Sequence, residues 1–387
     1  MTSRGSTDLV KPFVKWPGGK TAELEIIHQY MPRSINNYIE PFLGGGACFF
    51  SLDKDRYQQA FVNDFSDELI SLYLFIKDRN ELFRSYLLDI WELWCYFGTF
   101  SDRHYEVLRD LYGRYKSEQV TKEQLKEEVS EFVEGNFDDI LCVVPHSLNL
   151  NSHRLIRELK TSIASKMTNT KNNEGKKGDL PEEDYRKNFE ASIRASIYTY
   201  YRFLYNQREQ YQINREMHIA LFFYLREFCY SSMFRYNQSG GFNVPYGGAS
   251  YNSKAFINKI EYLWTNELHN VLQNASIFNL DFEHFFEAIP LHEDDFIFLD
   301  PPYDSDFSTY ANHSFASDDQ IRLADFLLNR CGSKFMVIIK NTDFIYQLYN
   351  QPGINIIGFD KSYSVSFMDR NDKKVEHIII TNYEVGH

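Results

Sequence analysis

The sequence has few cysteines and pairs none of them closely. Its five cysteines are an odd number and include no Cys-x-x-Cys spacing, so neither a zinc site nor a disulfide framework is supported. Apolar runs of about 20 residues, the length of a membrane-spanning helix, are also missing. The N-terminal stretch MTSRGSTDLV has no apolar signal core. We therefore expect a soluble, intracellular (cytoplasmic) protein that holds no metal.

An excess of positive charge is lacking too. The chain of 387 residues has a formal net charge of −13, which argues against non-specific coating of nucleic acid but leaves room for a local basic face. Hydrophobic residues make up 43% of the sequence, enough to form a folded core. The length predicts one large domain with insertions, or two to three units.

A complete phosphate-binding loop is absent, although the stretch K-W-P-G-G-K-T at residues 15–21 suggests one. That loop has the pattern G-x-x-x-x-G-K-[ST], and its first glycine opens the turn around the phosphates. Here the required position holds Val14, and Trp16 occupies a place that needs bare backbone. A kinase or NTPase interpretation therefore rests on G-K-T alone, and the stretch needs another explanation.

Residues 38–64 have the pattern of a nucleotide-cofactor fold. A strand at 38–40 leads into a turn with three glycines, a helical segment follows, and a second strand at 59–63 ends at Asp64. Glycines let the backbone approach a ligand closely, and an acid about 20 residues beyond the turn suits a ribose diol. The alternatives are a packing turn for the glycines and a helix N-cap for Asp64, ahead of a helix at 68–76.

The middle of the chain reads as helical. Residues 78–225 are rich in Glu, Lys, Arg, Tyr and Leu, with apolar positions at helical spacing. The polar stretch 168–184 predicts a loop between helical blocks. Residues 228–260 contain no Asp or Glu, which is typical either of an ordinary β-hairpin surface or of a face that meets polyanionic DNA.

After residue 270 the sequence again predicts alternating strands and helices. We expect strands at 275–280, 296–299 and 334–340, helices at 283–289 and 318–329, and a C-terminal hairpin of strands 362–367 and 374–383 around a turn at 369–373. The predicted domains are 1–78 with 270–387, which form the catalytic domain, and 79–269, which hold the helical insertion and a hairpin at about 231–250.

The sharpest motif is D-P-P-Y at residues 300–303, directly after the apolar strand F-I-F-L. Ligands bind at the carboxyl ends of parallel strands, and two prolines fix the backbone there. An exocyclic amine on a nucleobase is a poor nucleophile because its lone pair is delocalised into the ring. A carboxylate and a rigid carbonyl that accept hydrogen bonds from its two N–H groups free the lone pair. The tyrosine offers a stacking face for a flipped base. The alternative is an ordinary proline turn after a strand.

Several motifs in order resemble the Dam-like DNA adenine-N6 methyltransferases. The similarity covers roughly residues 11–76 and 226–383, and it rests on these stretches: K-W-P-G-G-K, E-P-F-L-G-G-G, N-D at 63–64, F-R-Y-N-Q-S-G-G-F-N-V-P-Y-G, D-F at 281–282, and D-P-P-Y. The resemblance implies an α/β fold with a Rossmann-like, mostly parallel seven-stranded sheet, one reversed strand, a helical insertion and a DNA-recognition domain. It also implies S-adenosylmethionine as cofactor and double-stranded DNA as partner.

The resemblance assigns roles to named residues. The implied cofactor contacts are Trp16, Lys20, Glu40, Phe42, Gly44, Gly46, Asp64, Asp281, Phe282 and Asp300. The implied site for the target base comprises Asp300, Pro301, Pro302 and Tyr303. The implied DNA contacts are Arg235, Tyr236, Asn237, Asn243 and Tyr246, because Arg reads guanine and Asn reads adenine.

Two departures from the family pattern bear on specificity. Members that read GATC commonly carry a basic side chain inside the hairpin, where this chain has Gln238-Ser239-Gly240-Gly241. The helical insertion is also longer than in compact members. The setting implied is a restriction–modification, phage or epigenetic system, with a cognate restriction endonuclease as a candidate partner.

Two other functions stay open from the residues. Cytosine-N4 methylation uses the same amine chemistry but usually goes with S-P-P-Y. A DNA-binding regulator without catalysis would not need an intact D-P-P-Y set. Methylation of a ring carbon requires a cysteine nucleophile, and none of the five cysteines follows a proline.

Overall fold

The computed structural model describes residues 10–233, 235–302, 315–362 and 374–385. The chain divides into two compact units. The sheet unit comprises Met1–Asp78 and Leu263–His387, and the helical unit comprises Arg79–Tyr262. Elements are numbered along the chain, and each unit is described separately.

The sheet unit is built on seven strands in the order β3-β2-β1-β4-β5-β7-β6. Strands β1 to β5 pair in parallel, and β7 runs antiparallel to both of its neighbours. The strands are β1 Asn37–Glu40, β2 Gln59–Asn63, β3 Ala275–Phe278, β4 Phe296–Leu299, β5 Lys334–Lys340, β6 Asn355–Ser362 and β7 Lys374–Thr381. The predicted α/β class, with a mostly parallel seven-stranded sheet and one reversed strand, is confirmed.

Burial explains why the central strands are continuous apolar runs. Every residue of β4 is buried, as are five consecutive residues of β5, because helices that connect parallel strands cover both faces of such a sheet. One core cluster joins strand residues such as Ile297 and Val337 to helical residues such as Phe285 and Leu323. The helices of this unit are α1 Leu24–Tyr30, α2 Ala47–Phe50, α3 Asp67–Lys77, α12 Asn266–Gln273, α13 Phe282–Ala288, α14 Ser317–Asp325 and α15 Asp343–Tyr349.

The helical unit packs long helices side by side. They are α4 Glu81–Arg103, α5 Tyr105–Lys116, α6 Lys122–Gly135, α7 Phe137–Val143, α8 Ser152–Lys177, α9 Glu182–Asn206, α10 Arg215–Phe228 and α11 Phe256–Leu263, whose last residue belongs to the sheet unit. Between α10 and α11 lies a short hairpin, residues 229–246, with antiparallel bridges from Cys229 to Tyr246 and from Tyr236 to Phe242.

One local prediction is wrong. The polar stretch 168–184 was expected to be a loop, but α8 continues to Lys177 and α9 begins at Glu182. Three side chains at helical spacing, Met167, Thr170 and Glu174, are buried. Tertiary packing of this face therefore overrides the weak helix propensity of the Asn and Thr residues.

The C-terminal hairpin begins earlier in the chain than the sequence predicts. Its first strand is β6, Asn355–Ser362, which pairs along its length with β7. The predicted strand at 362–367 and the turn at 369–373 fall almost entirely outside the described residues. Within the described ranges, no helix is long and apolar enough to cross a membrane.

Candidate active site

Most candidate residues of the sheet unit lie at or just after the carboxyl ends of four parallel strands, whereas Trp16 and Lys20 precede β1. The strands end at Glu40, Asn63, Phe278 and Leu299, and parallel pairing brings these ends to one edge of the sheet. In the strand order, β1 leads to β2 on one side and β4 lies on the other. The loops after β1 and β4 therefore flank the topological switch point, where ligands bind in open α/β sheets.

The glycine turn after β1 packs directly against Trp16. Gly44 has a φ of +50°, and a Cβ at this position would lie 2.9 Å from Trp16 Cδ1. Gly46 has a φ of +70°, and its Cβ would lie 2.7 Å from the Tyr73 hydroxyl. The turn therefore requires glycine both for its left-handed backbone and for its close contact with two aromatic side chains.

Glu40 lies behind the glycine turn and is buried. Its carboxyl accepts a hydrogen bond of 2.8 Å from the Tyr38 hydroxyl and another from the backbone N–H of Phe49 in α2. Burial raises the pKa of this carboxyl well above its ordinary value, although the bond from Tyr38 opposes the change. Glu40 thus ties the end of β1 to the helix that follows the turn.

Lys20 and Asp300 meet although 280 positions separate them in the chain. Lys20 Nζ lies 2.5 Å from Asp300 Oδ1 and also donates to the Gly18 carbonyl at 2.8 Å. The lysine side chain is 2% exposed and the aspartate side chain 19%. The structure therefore joins a residue implied for the cofactor to the first residue of D-P-P-Y, in one nearly buried ion pair.

Asp64 and Asn63 brace neighbouring loops. Asp64 accepts hydrogen bonds from the backbone N–H groups of Gly44 at 2.8 Å and Ser66 at 2.9 Å. Burial raises the pKa of the Asp64 carboxyl, and both of these bonds oppose that change. Asn63 donates to the Pro41 and Leu280 carbonyls at 3.0 Å, so one buried amide links the loops after β1, β2 and β3. The N-cap of α3 is Ser66 and not Asp64.

Asp281 and Phe282 begin helix α13. Asp281 caps the helix through Oδ1, which also accepts a hydrogen bond of 2.8 Å from Arg322. The Arg322 guanidinium lies 4.8 Å from the centre of the Phe282 ring. Phe282 is buried and contacts the rings of Phe42 and Phe315 at centroid distances of 5.9 Å. Phe42 and Phe282, both implied for the cofactor, are therefore brought together.

Gln320 holds the backbone after Asp300. Its Nε2 donates to the Pro302 carbonyl at 3.0 Å, and its side chain is fully buried. Its Oε1 has no hydrogen-bond partner among the residues that the structure describes. Tyr303, the last residue of D-P-P-Y, lies outside the described residues.

In the helical unit, three of the implied DNA contacts lie at the surface of the hairpin. Arg235 and Asn237 are exposed and Asn243 is half-buried. Arg235 Nε donates to Asn243 Oδ1 at 3.3 Å. Asn237 Oδ1 accepts from the backbone N–H groups of Ser239 and Gly241, so this side chain also shapes the turn.

The two implied tyrosines face inward. The Tyr236 hydroxyl lies 3.1 Å from that of Tyr205. Tyr246 donates to Asn252 Oδ1 at 2.9 Å, and its ring lies 5.7 Å from those of Trp94 and Tyr198. Both side chains therefore fasten the hairpin to the helices beneath it.

The acid-free stretch is less positive than its sequence suggests. Lys259 pairs with the Glu227 carboxylate at 2.6 Å, and Lys254 donates to the Glu227 carbonyl. Glu227 immediately precedes the stretch, and it neutralises part of the charge that the stretch carries. Arg235 has no acidic partner among the described residues.

Four residues of interest were not singled out from the sequence: Phe65, Arg202, Gln320 and Arg322. Gln320 has a readable signal, because it stands at i in an apolar series with Leu323, Ala324 and Leu327. Phe65 directly follows Asp64 and is 50% exposed, which marks it as a large apolar side chain beside the site. The two arginines are harder to single out. The carbonyls that Arg202 contacts are distant in sequence, and Arg322 pairs with the distant Asp281 and Glu283 as well as with the nearby Asp319.

The chain is similar to known DNA methyltransferases. The chain is 25% identical over 378 residues to the type II methyltransferase M.CviBI of Paramecium bursaria Chlorella virus NC1A, covering 97% of this chain and 100% of that protein. It is 26% identical to the type II methyltransferase M.MjaIII of Methanocaldococcus jannaschii, covering 97% and 99%, and 22% identical to a DNA adenine methylase of Vibrio cholerae, covering 95% of each.

A family match extends over both units. The family described as D12 class N6 adenine-specific DNA methyltransferase matches residues 16–138 and 147–365. These ranges include the loops at the carboxyl edge of the sheet and most of the helical unit. The chain therefore belongs to the D12 class N6 adenine-specific DNA methyltransferases and is an adenine-specific DNA methyltransferase.

Proposed function

We propose that this enzyme transfers a methyl group from S-adenosylmethionine to the N6 amine of an adenine flipped out of double-stranded DNA. The observation that carries the proposal is the ion pair of Lys20 with Asp300 beside the glycine turn, at the switch point of the sheet. This pair brings a positively charged group and a partly exposed carboxylate together beside the glycine turn, at the carboxyl edge of the sheet.

The residues at this edge suit the cofactor. The glycine turn brings bare backbone to the end of β1, and its conformation is held by Trp16 and by Asp64. Asp64 offers carboxylate oxygens for ribose hydroxyls, and Asp281 with Phe282 offers a polar and an aromatic group for the adenine. We propose that Trp16, Lys20 and the turn from Glu40 to Gly46 surround the methionine part, with Phe42, Gly44 and Gly46 inside that turn and Glu40 supporting it.

The target amine needs activation by acceptors. When bound, S-adenosylmethionine supplies an electrophilic methyl group on a sulfonium. Asp300 and the Pro301 carbonyl accept hydrogen bonds from the two N–H groups of the amine, which turns the nitrogen lone pair toward the methyl group. With the cofactor bound, the N–C bond would form as the S–C bond breaks, and the proton released by the nitrogen would pass to the Asp300 carboxylate. No covalent enzyme intermediate is involved.

The chain fixes these acceptors from two sides. Lys20 holds the orientation of the Asp300 carboxylate. Pro301 and Pro302 restrict the backbone, and Gln320 anchors the Pro302 carbonyl. Tyr303 completes the proposed base site by stacking on the flipped adenine.

We propose that the hairpin of the helical unit reads the DNA sequence. Arg235 and Asn243 present accessible polar edges that can address guanine and adenine, with Asn237 beside them. Tyr236 and Tyr246 complete the proposed contact set and also hold the hairpin in place. Since the turn carries Gln238-Ser239-Gly240-Gly241 without a basic side chain, we propose a recognition sequence other than GATC.

The names of the relatives bear on the biological setting. Two of them are type II methyltransferases. By likeness to these proteins, we propose a role in a restriction–modification or phage system, with a cognate restriction endonuclease as partner. Sequencing the genes beside this one in its source would test the partnership, and the absence of any nuclease there would argue against it.

Binding measurements test the assignment of the cofactor site. Trp16→Ala and Lys20→Met should weaken S-adenosylmethionine binding by roughly 10-fold or more in calorimetric titration, because each removes a wall or a charge of the site. Lys15→Met, at an exposed position of the same stretch 15–21, is the matched control. DNA affinity without cofactor should stay unchanged. If the substitutions weaken DNA binding and leave cofactor binding intact, the assignment is wrong.

A further inference from the structure

One face of helix α9 holds the main chain of the hairpin. The Tyr198 hydroxyl donates to the Val244 carbonyl at 2.9 Å. The Asn206 amide donates to the Phe242 carbonyl at 2.9 Å and accepts from the Phe242 N–H at 2.8 Å. Tyr198 and Asn206 stand two helical turns apart on one face, so α9 is the platform that fixes the orientation of the hairpin.

Arg202 stands midway between these two anchors and meets the base-reading candidates. Its Nη1 donates to the Val244 carbonyl at 2.9 Å and lies 3.4 Å from the Asn243 carbonyl. Arg235 approaches the side chain of Asn243 through Nε. Two guanidinium groups therefore both contact Asn243, the one from the platform at its carbonyl and the one from the hairpin at its side chain.

Neither guanidinium is neutralised within the described part of the chain. No carboxylate there lies within 4.0 Å of Arg202 or Arg235, although most other arginines of the helical unit have such a partner. Among the described residues, hydrogen bonds engage Nη1 of Arg202 and Nε of Arg235, so Nη2 of each group is available to another acceptor. Two neighbouring cations without a counter-charge favour binding of an anion.

The distribution of charge points the same way. Residues 79–262 hold 25 basic and 25 acidic side chains, so the whole formal charge of −13 lies in the sheet unit. Within the helical unit, residues 144–262 hold 17 basic and 11 acidic side chains. The part of the chain that contains α9 and the hairpin is therefore its positive part, which suits a polyanion.

We propose that Arg202 binds a DNA phosphate beside Arg235 and Asn243. The proposal rests on the proposed function and extends it to the helical insertion. Helix α9 both positions the hairpin and supplies a contact to the sugar–phosphate backbone, while the hairpin reads bases. Such a division is general, because phosphate contacts fix the register of a protein on DNA and base contacts specify the sequence.

The salt dependence of DNA binding tests this proposal. Each phosphate contact releases counterions, so the slope of log K against log salt should decrease in magnitude by about 1 in Arg202→Gln. Affinity should fall equally on all DNA sequences. Lys126→Gln, which removes one charge from an exposed position of α6, should keep the wild-type slope. Asn206→Leu, which removes a platform contact without changing charge, should also keep it.

Three results would overturn the proposal: an unchanged slope in Arg202→Gln, an equal decrease in Lys126→Gln, or an equal decrease in Asn206→Leu. If Arg202→Gln fails to fold by circular dichroism, DNA with single neutral methylphosphonates replaces the salt titration. Neutralising the phosphate that residue 202 contacts should weaken DNA binding by the wild type. The factor by which it weakens DNA binding should be different for Arg202→Lys. The absence of any position that depends on residue 202 would contradict the contact.

The same preparations separate this proposal from the proposed function. Wild-type protein that binds DNA but transfers no methyl group from S-adenosylmethionine would refute the proposed function, whatever the slopes are. Wild-type protein that methylates adenine while Arg202→Gln keeps the full slope would refute only the phosphate contact.

Discussion

Gln320 is a polar residue at a buried position among apolar side chains, which suggests that its amide has a functional or structural role. Its neighbours on the same face of α14, Leu323 and Ala324, are fully buried in the core. A buried amide with an unsatisfied oxygen costs free energy of folding. The contact that justifies it is the hydrogen bond to the Pro302 carbonyl, so we regard Gln320 as a positioning residue for the backbone that follows Asp300.

Replacement of Gln320 should affect turnover more than binding. In Gln320→Met, which keeps the approximate volume but loses the donor, we expect kcat to fall roughly 10-fold or more because the acceptors of the amine are held less precisely. The KM for S-adenosylmethionine should change little. Steady-state kinetics of methyl transfer measure both constants. Ile321→Met, at a neighbouring position that is 47% exposed, is the control.

Gln320 would have no special part in positioning if KM changed in Gln320→Met by the same factor as kcat. An equal fall of kcat in Ile321→Met would show the same. A lower unfolding temperature alone would not decide the matter, because any core substitution has that effect. The split between the two kinetic constants is therefore the informative readout.

At the residue scale, the sequence singles out candidate side chains more readily than it gives their contacts. D-P-P-Y and the glycine turn are local patterns, and their chemistry can be read from neighbouring letters. The contact of Lys20 with Asp300 spans 280 positions, and that of Gly44 with Trp16 depends on how two separate loops pack. Such pairings follow from the topology of the sheet, which no local pattern encodes.

At the element scale, β1, the glycine turn and α2 are joined by a carboxyl whose pKa is raised. Because the pKa of Glu40 in the folded protein exceeds its ordinary value of 4.5, the folded state binds its proton more tightly than the unfolded state does. Stability therefore falls as pH rises from about 4.5 through the raised pKa. This carboxyl penalises folding most at alkaline pH.

Glu40→Gln should remove that penalty. The amide is neutral at every pH, so the unfolding temperature of the variant relative to wild type should increase as pH is raised from 5 to 9. Glu40→Ala loses the bonds to Tyr38 and Phe49 and should be less stable than Glu40→Gln throughout. Thermal unfolding at several pH values measures the effect, and a variant-to-wild-type difference that falls with pH would contradict it.

Helices α5, α8 and α9 are joined by a carboxylate whose pKa is lowered, in contrast to that of Glu40. Glu174 is buried and accepts hydrogen bonds from the hydroxyls of Tyr112 and Tyr185 and from Lys116. Burial alone would raise its pKa, but these donors and the Leu180 N–H lower it to about 2. The stabilisation is complete above about pH 4.5 and is lost as pH falls toward 2.

Glu174→Gln should therefore destabilise the protein most near neutral pH. From the shift of the pKa we expect a loss of about 3 kcal/mol at pH 7 that shrinks steadily below pH 4.5. Urea unfolding followed by circular dichroism measures it. Glu131→Gln, at an exposed position of α6, should change little at any pH, and a loss from Glu174→Gln that stays constant down to pH 3 would contradict the account.

Glu174 also explains the helix that the sequence analysis missed. The stretch T-N-T-K-N-N-E-G-K-K has the composition of a loop, and only the burial of every third or fourth residue marks it as helical. The strands β2, β4 and β5 were predicted with their observed bounds. Helices cover both faces of the sheet, so its strands are short apolar runs between turns, and such runs can be recognised in the sequence. Elements whose stability comes from polar tertiary contacts are harder to predict.

At the scale of the whole molecule, charge divides between the two units. The sheet unit carries the negative charge, and the helical unit is neutral with a positive C-terminal part. The net charge of the whole chain therefore conceals the positive part of the helical unit, which suits DNA. The order of the motifs indicated the family and the sheet, whereas the contact between α9 and the hairpin became visible only in the structure.

The central claim is that Asp300 acts on an adenine amine with S-adenosylmethionine as methyl donor. It is tested most directly by incubating purified protein with duplex DNA and S-adenosylmethionine and analysing the nucleosides by mass spectrometry. Wild type and Asp294→Ala, which alters a carboxylate 87% exposed, should produce N6-methyladenine, and Asp300→Ala should produce at least 100-fold less, on the order expected for loss of an essential acceptor. Production of N4-methylcytosine, or equal methylation by wild type and Asp300→Ala, would contradict the account.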